Sequence, residues 1–190
     1  MCLASWSETQ GVSVSNKTQP TQSVTVRSAR RDEFDAVADL VDAGFLAGPY
    51  GHLPVSDERR QLQRDSAGRA ESGALLVAVD DASGALLGTS TLLRAGTGAS
   101  RLAEGDETEL RLLAVDPAAR GRGVGELLVR ATVAAARGWK ASAVVLDTGA
   151  LNLPAQRLYE RTGFRRVPER EAAYENAALG TPRVYEFSLA

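Results

Sequence analysis

The sequence predicts an α/β domain built on one mixed central sheet, about seven strands flanked by about four helices. Three observations carry that expectation. Apolar residues change period along the chain, between alternation and helical spacing, in the order β, α, α, β, β, β, α, β, α, β, β without an internal repeat. The 190 residues suit one ordinary domain and are short for two. With 44% hydrophobic and 24% charged residues, the composition is that of a soluble globular chain, which rules out disorder throughout.

Residues 1–23 carry Ser, Thr, Gln and Asn without apolar periodicity, so they predict a mobile tail and leave 24–190 as the domain. Val24 to Arg27 alternates as a short strand. Phe34, Val37, Leu40 and Val41 then recur at helical spacing, and Gly44 and the turn from Gly48 to Gly51 end that helix. Ser56 followed by Asp57 and Glu58 has the form of a second helix start, with serine as cap and acids in the first turn. This helix is expected to run toward Gly68 or Ala70. Two apolar runs, Ala74 to Val79 and Ala85 to Arg94, flank an Asp/Ser/Gly turn and predict a hairpin.

The Gly-rich stretch 95–106 reads as a loose loop that could also serve as a lid. Leu110 to Val115 resumes strand character and stops at Asp116-Pro117. Val124, Leu127, Leu128, Ala131 and Ala135 then form one helical face closed by Gly138. Ala143 to Leu146 is a short buried strand, and Pro154 suits the first turn of a helix that ends before Gly163. Phe164 to Val167 and Val184 to Leu189 supply the last two strands.

Charge and cysteine content exclude several function classes. Twenty arginines and two lysines stand against 24 acidic residues, a net charge of −2, and the arginines are scattered. A nucleic-acid binder needs a concentrated basic stripe, so no nucleic-acid partner is expected. No apolar run reaches the roughly 18 to 20 residues of a membrane span, and the first segment lacks the pattern of a secretory signal. The single cysteine, Cys2, has no internal disulfide partner, and no Cys/His cluster offers a zinc site, so no metal is expected. A reducing, cytoplasmic setting is the simplest expectation.

The informative stretch runs from Glu109 to Gly125: a strand, a turn, then Arg120-Gly121-Arg122-Gly123-Val124-Gly125 opening a helix. Glycines at a helix entrance let backbone N–H groups approach an anion, and the unpaired N–H groups and helix dipole favour phosphate there. The two arginines can add charge-assisted hydrogen bonds. The pattern is that of a pyrophosphate cradle, set against a plain glycine-rich turn with solvated arginines. A Rossmann site expects G-x-G-x-x-G after the first strand. A Walker loop expects Gly-Lys-Ser/Thr. Both fit poorly.

Arg120-x-x-Gly123-x-Gly125 resembles the Q/R-x-x-G-x-G/A signature of the GNAT superfamily of N-acetyltransferases, and Leu112 to Pro117 resembles that family's fourth strand and its exit. Asn152-Leu153-Pro154-Ala155-Gln156-Arg157-Leu158-Tyr159-Glu160-Arg161-Thr162-Gly163-Phe164 resembles its second hallmark, N-x-x-A-x-x-L-Y-x-x-x-G-F. Two signatures in register, about 30 residues apart, are far more specific than either alone, and the element order agrees over most of the chain. The resemblance implies acetyl-CoA as acyl donor in a V-shaped cleft between two splayed parallel strands. Arg120, Gly121, Arg122, Gly123, Val124 and Gly125 would take the pyrophosphate through main-chain N–H groups. Leu113, Ala114 and Val115 would face the pantetheine arm, with Leu113 and Val115 offering it backbone hydrogen bonds. Asn152 and Ala155 would line the opposite wall. The acceptor would be an amine, on a small molecule or a protein, and a homodimer is a family-level expectation.

An amine with pKa near 10 is only about 0.1% neutral at pH 7, a deficit of roughly 4 kcal/mol, so a carboxylate or ordered water that removes the proton in place is useful. Glu109 is the candidate base. Period-2 alternation places Glu109, Arg111, Leu113 and Val115 on one face, and Glu109 also resembles the catalytic glutamate of histone-type members. Against this stands a solvated glutamate at a strand start. Tyr159 occupies the family's usual general-acid position, against a core tyrosine beside Leu158. A main-chain N–H between Leu113 and Val115 would face the developing oxyanion. Tyr50 and His52, in the loop between the first two helices, are either acceptor contacts or surface residues. Trp139 is expected to pack at a helix end, and Trp6 lies in the tail. The competing function classes are a non-catalytic acyl-CoA-binding module and, with poor spacing, a dinucleotide oxidoreductase.

Overall fold

The computed structural model describes residues 23–174 and 180–189. The expected tail, with Cys2 and Trp6, lies outside the described residues except for Ser23, as does part of the loop before the last strand. Seven strands form one sheet in the order β1-β2-β3-β4-β5-β7-β6. They are β1 (Val24–Ser28), β2 (Gly73–Asp80), β3 (Leu86–Arg94), β4 (Thr108–Val115), β5 (Ala143–Thr148), β6 (Arg165–Arg166) and β7 (Arg183–Ser188). All neighbours run antiparallel except β4 and β5. The α-helices are α1 (Phe34–Leu46), α2 (Asp57–Arg64), α3 (Ser66–Ser72), α4 (Val124–Gly138) and α5 (Leu153–Arg161). No helix among the described residues is long and apolar enough to cross a membrane.

Helices cover both faces. On one side α4 presents Leu128, Val129, Val133 and Ala136 to the sheet, and Tyr159 of α5 joins them with Phe164 and Tyr185. On the other side α1 lays Val37, Leu40 and Val41 against Leu75, Val77 and Ala114. Close approach is built into the sequence. A Cβ on Gly88 of β3 would stand 2.9 Å from both the Ala114 carbonyl oxygen and Leu128 Cδ1, so only glycine lets α4 sit this low on the sheet.

The long helix expected from Ser56 is two helices. Ser56 caps α2 as anticipated, accepting from the Arg59 N–H at 3.3 Å. Asp65 then leaves helical geometry and its carboxylate accepts from the Gly68 N–H at 2.8 Å, which starts α3 afresh. Asp can cap as well as continue, and here the new cap prevails. The last hairpin is also shorter than expected, with a ladder to β7 at Arg165 and Arg166 alone and one further bond from the Val167 N–H to the Val184 carbonyl at 2.8 Å. Trp139 packs at the C-terminal end of α4, its ring covered by Arg94 at 4.4 Å.

The stretch 95–106, expected to be loose, is fastened. Leu102 is fully buried against Val145 and Val184, and Arg170 grips both Glu107 oxygens at 2.9 and 3.0 Å while also donating to the Leu102 carbonyl. Composition hid this because one leucine anchors a dozen small and polar residues.

At the start of α1, buried Glu33 accepts two hydrogen bonds from Arg27, at 2.6 and 2.8 Å, and one from the Arg30 N–H at 2.8 Å. The Arg27 guanidinium, aided by the Arg30 N–H and opposed by desolvation, pulls its carboxyl down to about 2. A carboxyl depressed on folding adds stability above its ordinary value of 4.5, and that gain drains away as pH falls through about 2. Glu33→Gln should therefore lower unfolding free energy by about 1–3 kcal/mol at pH 7. In urea titrations at stepped pH, the gap from the parent protein should close between 4.5 and 2.

Candidate active site

The site begins where two strands stop pairing. β4 and β5 are joined in register only at Thr108 with Val144 and Glu109 with Val145. Beyond Glu109 they part, while β5 continues to pair with β7 as far as Thr148. The β4 edge from Leu110 to Val115, which includes Leu113, Ala114 and Val115, thus has no strand beside it on the β5 side.

A bulge decides which side chains face which half of this opening. Thr89 pairs with Ala114 and Thr91 with Arg111, so Leu112 and Leu113 together oppose Ser90, and Leu112 adopts φ +50°. The extra residue reverses the alternation. Leu110, Leu113 and Val115 turn to the α4 side, where they meet Val129, Val124 and Leu128, whereas Ala114 turns to Leu40 and Val41 of α1. Glu109 and Arg111 therefore do not share a face with Leu113 and Val115, contrary to simple alternation.

At the α4 side the Arg120–Gly125 loop turns onto the helix. Gly121 and Gly123 have φ of +78° and +79°, and a Cβ on either would meet nothing within 4 Å, so the loop's outer surface is open. The N–H groups of the first turn of α4 have no intrahelical acceptors and point at that surface. Gly125 serves packing instead, since its Cβ would lie 3.1 Å from Leu158 of α5. These features fit a diphosphate. The arginine side chains do not take the part expected of them. Arg120 donates to the carbonyls of Gly44 (2.8 Å) and Ala47 (3.0 Å) at the end of α1, and Arg122 donates to Asp80 at 3.2 Å. They fasten the cradle to α1 and to the β2–β3 turn, leaving the main chain to meet the anion.

Asn152 precedes α5, half-buried and with no side-chain cap bond, while Gln156 donates to the Gly149 and Ala150 carbonyls and fixes the loop that presents it. Ala155 packs against the α4-side core. Tyr159, one turn further, is buried between Phe164 and Tyr185, with ring centroids 5.8 and 5.9 Å away, and its hydroxyl makes no hydrogen bond among the described residues. Burial, with smaller contributions from Asp147 and Tyr185, pushes this phenol well above its ordinary range, so it is protonated at neutral pH.

Glu109 lies at the vertex of the opening, its side chain 0% exposed. One carboxylate oxygen accepts from Ser100 Oγ (3.0 Å), the Arg101 N–H (2.5 Å) and the Leu102 N–H (2.7 Å), and the other from Arg111 Nη1 (3.1 Å). The structure also collects residues that no motif pointed to. Asp147 of β5, two residues beyond the partner of Glu109, is 21% exposed and paired with Arg101 at 3.0 Å. Tyr50 accepts from the Leu151 N–H at 2.8 Å and its ring closes over Gly149, where a Cβ would come within 2.2 Å. The α1–α2 loop thereby bridges to the exit of β5, while His52 is exposed. Period-2 spacing from Val145 would have exposed Asp147; Tyr50 had only its loop position.

The acetyltransferase (GNAT) family matches residues 35–164, more than half of the chain. The chain belongs to that family. Acetyl transfer is that family's chemistry. An N-acetylaspartate synthetase from Danio rerio is 44% identical over 77 residues, 40% of this chain and 27% of that protein, so the match spans about a quarter of the relative's length. An acetyltransferase of the GNAT family from Staphylococcus aureus Mu50 has a similar fold, with TM-score 0.69 at 16% identity over 88% of this chain and 100% of that one. So does a GNAT family acetyltransferase from Brucella melitensis in complex with acetyl-CoA, with TM-score 0.58 at 22% identity over 89% and 90%.

Gly123→Ala forces a side chain into left-handed geometry at a cost of about 1–2 kcal/mol and displaces the cradle. Calorimetry should show acetyl-CoA affinity falling at least tenfold. Gly96→Ala, which imposes comparable strain at φ +71° in the β3–β4 loop, should lower Tm similarly and leave that affinity unchanged.

Proposed function

We propose that this chain is an N-acetyltransferase that moves the acetyl group of acetyl-CoA directly to a primary amine held on the α1–α2 side of the opening. The observation that carries the reading is the parting of β4 and β5 between an anion cradle and a protonated, unpartnered tyrosine hydroxyl. The diphosphate meets the first-turn N–H groups of α4, and the pantetheine arm lies along the bare edge at Leu113–Val115 as an added strand. This runs the thioester into the opening between Asn152 and the vertex.

The amine must lose a proton to attack. Of the two carboxylates at the opening, Asp147 reaches solvent, whereas both oxygens of Glu109 are engaged and sealed from it. We assign proton acceptance to Asp147, and to Glu109 the positioning of Arg111 and of the 100–102 backbone. Attack forms the N–C bond and places charge on the carbonyl oxygen, which a β4 main-chain N–H meets. Collapse breaks the C–S bond. A phenol raised above 10 is a weaker acid than a thiol near 8.5, so Tyr159 hydrogen-bonds the departing thiolate and remains protonated. The reading extends to a small amino compound as acceptor, supported by a relative named for N-acetylaspartate, an acetylated amino acid.

The test is thiol release from acetyl-CoA across an amine panel. Asp147→Asn and Tyr159→Phe should each lower kcat about 10²-fold with donor KM within a few-fold. Glu109→Gln should lower Tm and raise KM. If instead Glu109→Gln alone lowers kcat that far and Asp147→Asn does not, Glu109 is the base. Donor binding without release from any amine would make the chain a binding module.

A further inference from the structure

One residue of the cradle loop reaches both walls of the opening. The main chain of Arg120 leads into the loop through Gly121 to α4, while its guanidinium turns to the end of α1 and donates to the carbonyls of Gly44 at 2.8 Å and Ala47 at 3.0 Å. The last turn of a helix leaves carbonyls without intrahelical donors and gathers negative charge. α1 has no basic residue in its own last turn, and no lysine or arginine occurs between Arg31 and Arg59. Arg120, more than 70 residues later, supplies the cation that caps it.

Beyond the cap, residues 47–53 form a strap that crosses from the end of β4 to the exit of β5. It starts close on the sheet, since a Cβ on Gly44 would stand 3.1 Å from that of Ala114. Its turns are tight: the Gly48 N–H donates to the Phe45 carbonyl at 3.0 Å, Gly51 to Gly48 at 3.1 Å and Leu53 to Tyr50 at 3.0 Å. Gly51 folds back so far that a Cβ there would overlap the Leu46 carbonyl. At the far end Tyr50 accepts from the Leu151 N–H at 2.8 Å, and its ring closes over Gly149. No Asp, Glu, Lys or Arg occurs from 43 to 56, so the strap brings no ion pair of its own. Its two anchors lie on opposite walls, and such close packing between them leaves little slack.

We infer that Arg120 is a positioning residue for the acceptor wall: through the cap of α1 and the strap it holds Tyr50 against the β5–α5 loop, and a diphosphate seated in the cradle tightens that hold. The inference rests on the acetyl-transfer reading for which wall faces the amine, and it gives the cradle's arginine a task on the opposite side. A guanidinium that swung to the diphosphate would leave both α1 carbonyls without their donor, whereas one that stays keeps them satisfied and leaves the anion to the loop main chain. Because backbone and side chain of Arg120 belong to different walls, a shift of the loop on binding is carried directly to the end of α1.

The experiment follows amide hydrogen exchange in the free protein and with CoA bound. In the free protein Arg120→Gln should speed exchange of the Leu151 amide, on the far wall, at least about fivefold. In the parent, CoA should slow the Gly51 and Leu53 amides by about the same factor; in Arg120→Gln, CoA should bind with Kd within about threefold but no longer slow them. Arg120→Lys, which keeps the charge and loses the fork, should restore part of the slowing. Ala36→Gly, at an exposed position of α1, should lower Tm comparably and leave both the Leu151 amide and the CoA-dependent slowing as in the parent. With an amine turned over in the thiol-release panel, Arg120→Gln should raise amine KM about tenfold with kcat within about threefold. An unchanged Leu151 amide in Arg120→Gln, or slowing at Gly51 and Leu53 that persists in that variant or is missing from the CoA-bound parent, overturns the inference. So does a CoA affinity lowered about tenfold or more in Arg120→Gln with the strap amides unchanged, which would make the guanidinium a phosphate ligand. Linked exchange without release from any amine would uphold the strap and defeat the acetyl-transfer reading.

Discussion

The parting of β4 from β5 after two paired residues is the constraint on which the rest of the molecule depends. A parallel pair that continued would satisfy its own backbone and leave nothing for a ligand. An edge left bare inside a domain exposes N–H and C=O groups that demand a partner. The surrounding elements keep that edge open. β7 holds β5 on its far side, β3 holds β4, and α4 sits low over Gly88, so neither strand can swing across to close the gap.

Long-range ties give the opening its two distinct walls. On the α4 side the cradle is fixed by side chains that point away from it, Arg120 to the end of α1 and Arg122 to Asp80. On the α1–α2 side, Glu109 binds the 100–102 backbone, Arg101 reaches Asp147, and Tyr50 reaches the β5–α5 loop. Charged residues that a motif reading would send to the ligands thus work largely on one another. The loop main chain is left open at the cradle, and Asp147 stays partly exposed at the opening.

Much of this was legible beforehand because it depends on local chemistry. Helical and alternating periods marked most elements, and Gly123 with Gly125 at a helix entrance marked the cradle. What escaped depends on partners distant in sequence. Asp65 is an unremarkable polar residue until its carboxylate caps Gly68. Leu102 is one leucine in a Gly-rich stretch, and its anchoring role exists only through Val145 and Val184. The guanidinium of Arg120 looks like a phosphate ligand unless the carbonyls of Gly44 and Ala47, over 70 residues earlier, are known to lie beside it.

The supernumerary residue at Leu112 sets a phase relation between the two halves of β4. Upstream of it, odd-numbered positions face away from α4; downstream, even-numbered ones turn to α1 and odd-numbered ones to α4. Pairing Leu112 regularly in place of the bulge would preserve hydrophobicity, strand propensity and both neighbouring motifs. It would nevertheless invert every position on one flank, sending Ala114 toward α4 and Val115 into the small space beside Gly44. The bulge in this strand is therefore as strict a requirement as residue identity.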